Sequence, residues 1–148
     1  MSPPVHPHIL VVEDDPATAN IVSTVLTDVN PHVKVDVVRD GEDCLRVMRE
    51  EHESIEPADI VLLDLNLLDV GGLSVLERRS AEKLMRGAPV IVVTGEEDSD
   101  LVVECYEKGA NTYILKPHDL DGYLTLAHRI LDYWADQAEL PTQHLVKV

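Results

Sequence analysis

Phenylalanine is absent from the 148 residues, and the aromatic complement is four Tyr and one Trp. A core without large rings must be filled by Val, Leu and Ile, and such usage suits a parallel sheet buried on both faces. Cysteine is scarce as well. Cys44 and Cys105 are too few for a disulfide framework and fall in segments that read as helices, so reduced thiols are expected. No apolar run approaches the roughly 20 residues of a membrane span, and no signal-peptide pattern opens the chain, so a cytoplasmic location is expected. Basic residues are few: 12 Lys+Arg stand against 28 Asp+Glu, a formal net charge of −16. A surface this acidic repels nucleic-acid phosphates and anionic membranes, so direct binding to either is not expected. The seven histidines are scattered without ligand spacing, which argues against a zinc site.

What is present is ordinary in amount and ordered in arrangement. Hydrophobic residues make up 45% and charged residues 27%, values of a globular domain and not of a disordered chain. Short apolar runs at Ile9–Val12, Val33–Val38, Ile60–Leu63, Val90–Val93 and Tyr113–Leu115 alternate with amphipathic stretches. Those stretches, Pro16–Val29, Glu42–Glu50, Leu73–Leu84, Asp98–Lys108 and Leu120–Asp136, have helical spacing. Five βα units in succession predict an α/β fold, a doubly wound five-stranded parallel sheet. Asp15-Pro16 reads as a helix cap followed by proline at the first helical position, and Asp98 or Ser99 as a cap of the fourth helix. Gly87 and Gly109 read as helix stops. The expected organisation is a loose lead-in over 1–7, one domain over 8–137 and a tail over 138–148 too short for an output domain.

In such sheets ligands bind at the carboxyl ends of the strands, where strand order reverses. Strand one ends in Glu13-Asp14-Asp15, strand three in Asp64, strand four in Thr94 and strand five in Lys116. Clustered carboxylates repel and raise one another's pKa unless a cation sits among them. An open carboxylate site that keeps several waters suits Mg²⁺. A carboxylate nucleophile, a cation, a hydroxyl and an ammonium group together make a phosphoryl-transfer site.

The blocks Ile9-Leu10-Val11-Val12-Glu13-Asp14-Asp15, Val61-Leu62-Leu63-Asp64-Leu65-Asn66-Leu67, Val90-Ile91-Val92-Val93-Thr94-Gly95 and Tyr113-Ile114-Leu115-Lys116-Pro117 together resemble a response-regulator receiver domain. The likeness runs from about His8 to Asp136. It implies a flavodoxin-like (βα)5 fold with strand order 2-1-3-4-5. Asp64 then resembles the acceptor of a phosphoryl group from a histidine kinase, and Glu13 and Asp14 the acidic pair that holds Mg²⁺ with Asp64. The resemblance gives Asn66 a carbonyl ligand and a rate-tuning side chain, and Glu96 a second rate-tuning position. It gives Lys116 a phosphate contact and a cis bond to Pro117, and makes Thr94 and Tyr113 a switch pair. Gly95 would leave room for phosphodonors. Asp15, one step beyond the pair, is expected to cap the first helix. The protein so implied signals to a partner or phosphotransfer protein and is not a metabolic enzyme.

Asn66-Leu67-Leu68-Asp69 lacks a proline common before the third helix, which would loosen that loop, while Gly71-Gly72 keeps a flexible turn. Glu50–Pro57 is long and Glu-rich and reads as a solvated loop. In the last helix Leu120, Leu124, Ala127, Leu131 and Trp134 follow core spacing, and Tyr123, Leu126, Ile130 and Tyr133 form a second stripe. Helix four, strand five and helix five therefore read as a homodimer or partner surface. The run from Gly109 to Trp134 also resembles the small receivers that partner phytochrome-type kinases. An aspartate-nucleophile phosphatase would carry its acceptor on the first strand and add a cap domain. A flavodoxin would want a phosphate loop where Glu13-Asp14-Asp15 stands. A phosphorelay intermediate remains open, whereas a degenerate receiver would lack part of the constellation and none is missing.

Overall fold

The computed structural model describes residues 7–137, with backbone alone over 134–137. Five strands, β1 His8–Val12, β2 Lys34–Val38, β3 Ile60–Leu63, β4 Val90–Thr94 and β5 Thr112–Leu115, alternate with five helices. The helices are α1 Pro16–Val29, α2 Gly41–Met48, α3 Gly72–Glu82, α4 Ser99–Glu107 and α5 Leu120–Arg129. All strand pairings are parallel, in the order β2-β1-β3-β4-β5. The doubly wound α/β expectation holds, strand order included.

The sheet is central because its inner strands are apolar on both faces. Successive side chains of a strand point to opposite sides. Leu10 and Val12 of β1 therefore join one core with Val61, Leu63, Val75, Leu76 and Cys105. Ile9 and Val11 join the other with Val25, Leu26, Leu126, Ala127 and Leu131. Four helices begin at aspartates whose carboxylates accept first-turn amides: Asp15, Asp40, Asp98 and Asp119. Each satisfies a donor that the helix itself leaves unpaired. Asp15 is thus a cap, accepting from Thr18 Oγ1 at 2.6 Å.

Five expectations are corrected. The third helix stops at Lys83, which adopts a left-handed φ of 57°, and Gly87 lies beyond it; Gly109, at φ 102°, does follow α4. Pro7, placed in the expected lead-in, is buried and its carbonyl accepts Lys34 N–H at 3.0 Å, so this residue is part of the packed domain. The remainder of that lead-in and the tail lie outside the described residues. The Glu50–Pro57 loop is not wholly solvated: His52 Nδ1 accepts the amides of Ser54 and Ile55, and Ile55 packs on the core. The 66–69 loop is tethered, because both Asp69 oxygens accept from the start of α2, Gly41 N at 2.8 Å and Glu42 N at 3.1 Å.

The fifth correction concerns the last helix, which widens to a π-helical turn over Ile130–Gln137. Its core stripe is Tyr123, Leu126, Ala127, Ile130 and Leu131, packed with α1 residues, whereas Leu120 and Tyr133 are exposed. The supposed second stripe is therefore mostly core. The Trp134 side chain lies outside the described residues. Among the described residues no helix is long and apolar enough to cross a membrane.

Candidate functional site

Parallel pairing with aligned register brings the strand ends together. Val12 stands beside Leu63, Leu63 beside Val92 and Thr94 beside Leu115, so the next residues of β1, β3 and β5 open on one edge of the sheet. Glu13, Asp64 and Thr94 are nearly inaccessible, at 4%, 3% and 0% exposure. Glu13, Asp14 and Asp64 each offer a carboxylate oxygen within 4.8 Å of the others. The Lys116 ammonium donates to Glu13 Oε1 at 2.8 Å and to Asp64 Oδ2 at 3.1 Å. Asp64 Oδ1 accepts Asn66 N–H at 3.2 Å, and Glu13 Oε2 accepts Asp15 N–H at 3.2 Å.

Burial dominates the electrostatics. It pushes Glu13 up to about 7, helped by the Asp64 charge and opposed by Lys116. Lys116 is pulled down by the same burial, but its two carboxylate partners outweigh this and hold the ammonium above its ordinary value. One cation thus serves two buried carboxylates, with Asp14 beside them. A hard divalent ion fits this all-oxygen donor set. The Thr94 hydroxyl oxygen is buried without a hydrogen-bond partner. A buried hydroxyl left unpaired costs free energy, so it is ready to meet an incoming acceptor. Gly95 is open, since a Cβ there would meet nothing within 4 Å.

Tyr113 and Glu96 form a second group on the α4 side. Tyr113 packs against the core, and its hydroxyl donates to the Glu96 carbonyl at 2.7 Å. Burial raises the phenol's pKa. The Glu96 and Asn66 side chains are exposed at the mouth. The Lys116–Pro117 bond is trans, as every described peptide bond is, which corrects the expected cis bond. X–Pro bonds favour trans intrinsically, and Lys116 reaches both carboxylates with it.

Three contributors were not read from the sequence. Gly72 packs so closely behind the acceptor strand that a Cβ would lie 2.6 Å from the Asp64 carbonyl oxygen. Its role is close approach, not a flexible turn. Tyr123 of α5 lines a cavity of about 20 Å³ with Glu13, Asp64 and Lys116. Tyr106 of α4 accepts the Tyr113 amide at 3.0 Å through its hydroxyl oxygen. Only the double glycine gave a signal in the sequence.

Comparison with known proteins agrees with this geometry. The family model described as "Response regulator receiver domain" matches residues 9–127. Response regulator Rcp1 from Synechocystis is 29% identical over 135 residues, covering 90% of this chain and 92% of its own length. The solved structure of the phosphorylated cyanobacterial phytochrome response regulator RcpA superposes with a TM-score of 0.86 at 29% identity, covering 93% of this chain and 99% of that one. The Mn²⁺-bound form of Rcp1 superposes with a TM-score of 0.81 at 28% identity, covering 91% and 99%.

Proposed function

The chain belongs to the response regulator receiver family, and from that premise we propose that Asp64 accepts a phosphoryl group from the phosphohistidine of a sensor kinase, in a Mg²⁺-dependent reaction. The observation that carries this reading is the Lys116–Glu13–Asp64 cluster with Asp14 beside it. Receiver domains hold a divalent metal at their acidic pocket, and here Glu13, Asp14, Asp64 and the Asn66 carbonyl would hold it. When bound, the metal supplies positive charge against the phosphoryl oxygens.

The chain's own groups do the rest. An Asp64 carboxylate oxygen attacks phosphorus and the bond to the histidine nitrogen breaks, the released imidazole taking its proton from solvent. Lys116, already within hydrogen-bond distance of Asp64 Oδ2, turns to the incoming oxygens as the acceptor gains roughly −1.5 to −2 charge. The partnerless Thr94 hydroxyl donates to one of those oxygens. Tyr113, its ring turned in and bonded to the Glu96 carbonyl, closes the space behind Thr94. The result is a population shift around α4 and β5 that a partner reads. This makes the protein a signalling phosphoacceptor with its own phosphorylation and hydrolysis chemistry, as an output switch or a phosphorelay intermediate.

The likeness to Rcp1 and RcpA supports a phytochrome-type kinase as donor. Exposed Val103, Tyr106, Leu115, Leu120 and Tyr133 support the α4–β5–α5 face as the surface for a second copy or a target. Incubation with Mg²⁺ and acetyl phosphate, and separately with such a kinase, is expected to give an acid-stable, base-labile phosphoprotein. The adduct is expected to vanish with Asp64→Asn. No adduct on the native chain, or an undiminished one on the variant, would overturn the proposal.

A further inference from the structure

Tyr113 is held at both ends of α4, and only one of its two bonds involves its own side chain. Its hydroxyl donates to the Glu96 carbonyl, in the loop that leads into α4. Its backbone amide donates to the Tyr106 hydroxyl, from the last turn of α4. That amide is free to do so because β5 is an edge strand, paired among the described residues with β4 alone. Lys116 N–H donates inward to Thr94. Amides of a strand alternate in direction, so residue 113, an odd number of positions back, points its N–H outward. Such a group would otherwise face water or another strand.

Helix α4 is the least buried of the five described helices. It buries one residue fully, Cys105, where α1 buries four and α2 five. Elements with few buried apolar contacts sit at the low end of local stability. A single well-placed hydrogen bond therefore decides more of α4's position than it would for α1. The Tyr106 ring is itself half-exposed, so its hydroxyl bond, not ring burial, is its specific tie to β5.

We propose that Tyr106 is a positioning residue of the switch: its hydroxyl latches α4 to the β5 edge at Tyr113, and thereby keeps the Glu96 carbonyl where it holds the Tyr113 ring inward. This rests on the receiver reading of Asp64 and Thr94. Its sign follows from that reading. The ring-in arrangement accompanies a phosphoryl group on Asp64, so the latch favours the phosphorylated state. Tyr106 touches neither the carboxylates nor the acceptor and acts only through Tyr113.

The test uses the full chain and beryllofluoride with Mg²⁺ as the phosphoryl mimic. Tyr106→Phe keeps the ring and removes the hydroxyl. The Tyr113 amide should exchange with solvent faster in this variant. The beryllofluoride midpoint should weaken by about 3- to 10-fold, the worth of one hydrogen bond. The Mg²⁺ midpoint should not move, because Glu13, Asp14 and Asp64 stand on other strands. In Tyr113→Phe the Glu96 bond is already gone, so adding Tyr106→Phe should weaken beryllofluoride no further. A hydroxyl of purely structural value would lower the melting temperature and leave the beryllofluoride midpoint in place, which would overturn the latch. Additive losses in the double variant, or unchanged Tyr113 exchange in Tyr106→Phe, would overturn it as well. A native chain that binds no beryllofluoride would refute the phosphoacceptor reading instead, and the exchange comparison would still judge the latch.

Discussion

Replacing Lys116 with methionine keeps the aliphatic stem and removes a cation that bridges two buried carboxylates. At an effective dielectric of about 20, the contacts at 2.8 Å and 3.1 Å represent gross attractions of about 6 and about 5 kcal/mol. The carboxylate oxygens within 4.8 Å of one another repel by at least about 3 kcal/mol on the same scale. The gross attraction is offset by the cost of desolvating the ammonium, and the variant has an escape: Glu13, already pushed up to about 7, can protonate. The expected loss in metal-free protein at neutral pH is therefore about 3 kcal/mol, the lower end for a broken buried pair.

The pH dependence follows from the same group. Glu13 is raised from 4.5, so the native state binds more protons than the unfolded state across that window. Stability from this group is present below about pH 4.5 and is lost as pH rises through the folded value. Removing Lys116 raises the folded value further, so the variant keeps losing stability above pH 7, where the native chain has levelled off, by up to about 1.4 kcal/mol per pH unit. Urea unfolding in EDTA at about pH 6 and about pH 8.5, repeated with saturating Mg²⁺, measures this. The gap between native and Lys116→Met should widen with pH and narrow with metal, which restores a positive charge. A gap below about 1 kcal/mol near neutral pH, or one that ignores pH, would refute the reasoning.

Two further expectations concern the surroundings. Asp69→Ala removes the acceptor for the Gly41 and Glu42 amides and should cost about 1 kcal/mol in urea unfolding. Burial raises the Asp69 pKa but its amide bonds prevail and lower it, so its contribution is present above the ordinary 3.8 and disappears as pH falls through the lowered value. Sedimentation with and without beryllofluoride should show self-association in the activated form through the α4–β5–α5 face, and a strict monomer in both states would remove that reading.

The sequence carried the sheet because its inner strands are apolar whichever way their side chains point, and periodicity alone reveals that. It also placed Glu13, Asp14, Asp64, Thr94 and Lys116, since ends of parallel strands converge whatever the loops do. Caps such as Asp15 and Asp98 were legible because their partners lie two or three residues away.

What sequence could not supply were contacts across the chain. Asp69 reads as part of a loosened loop until its carboxylate meets α2, 28 residues back. The face of α5 was misjudged by about one stripe because its docking against α1 decides which side is buried. Two of the four capping aspartates, Asp40 and Asp119, were likewise assigned only by the folded structure. Tyr106 gave no local sign at all, because its partner is an amide whose outward direction exists only once β5 has become an edge. Periodicity and nearest-neighbour chemistry are local, and so they are written in the sequence. Registers, docking angles and the pairing of distant polar groups arise from packing, and only the folded structure decides them.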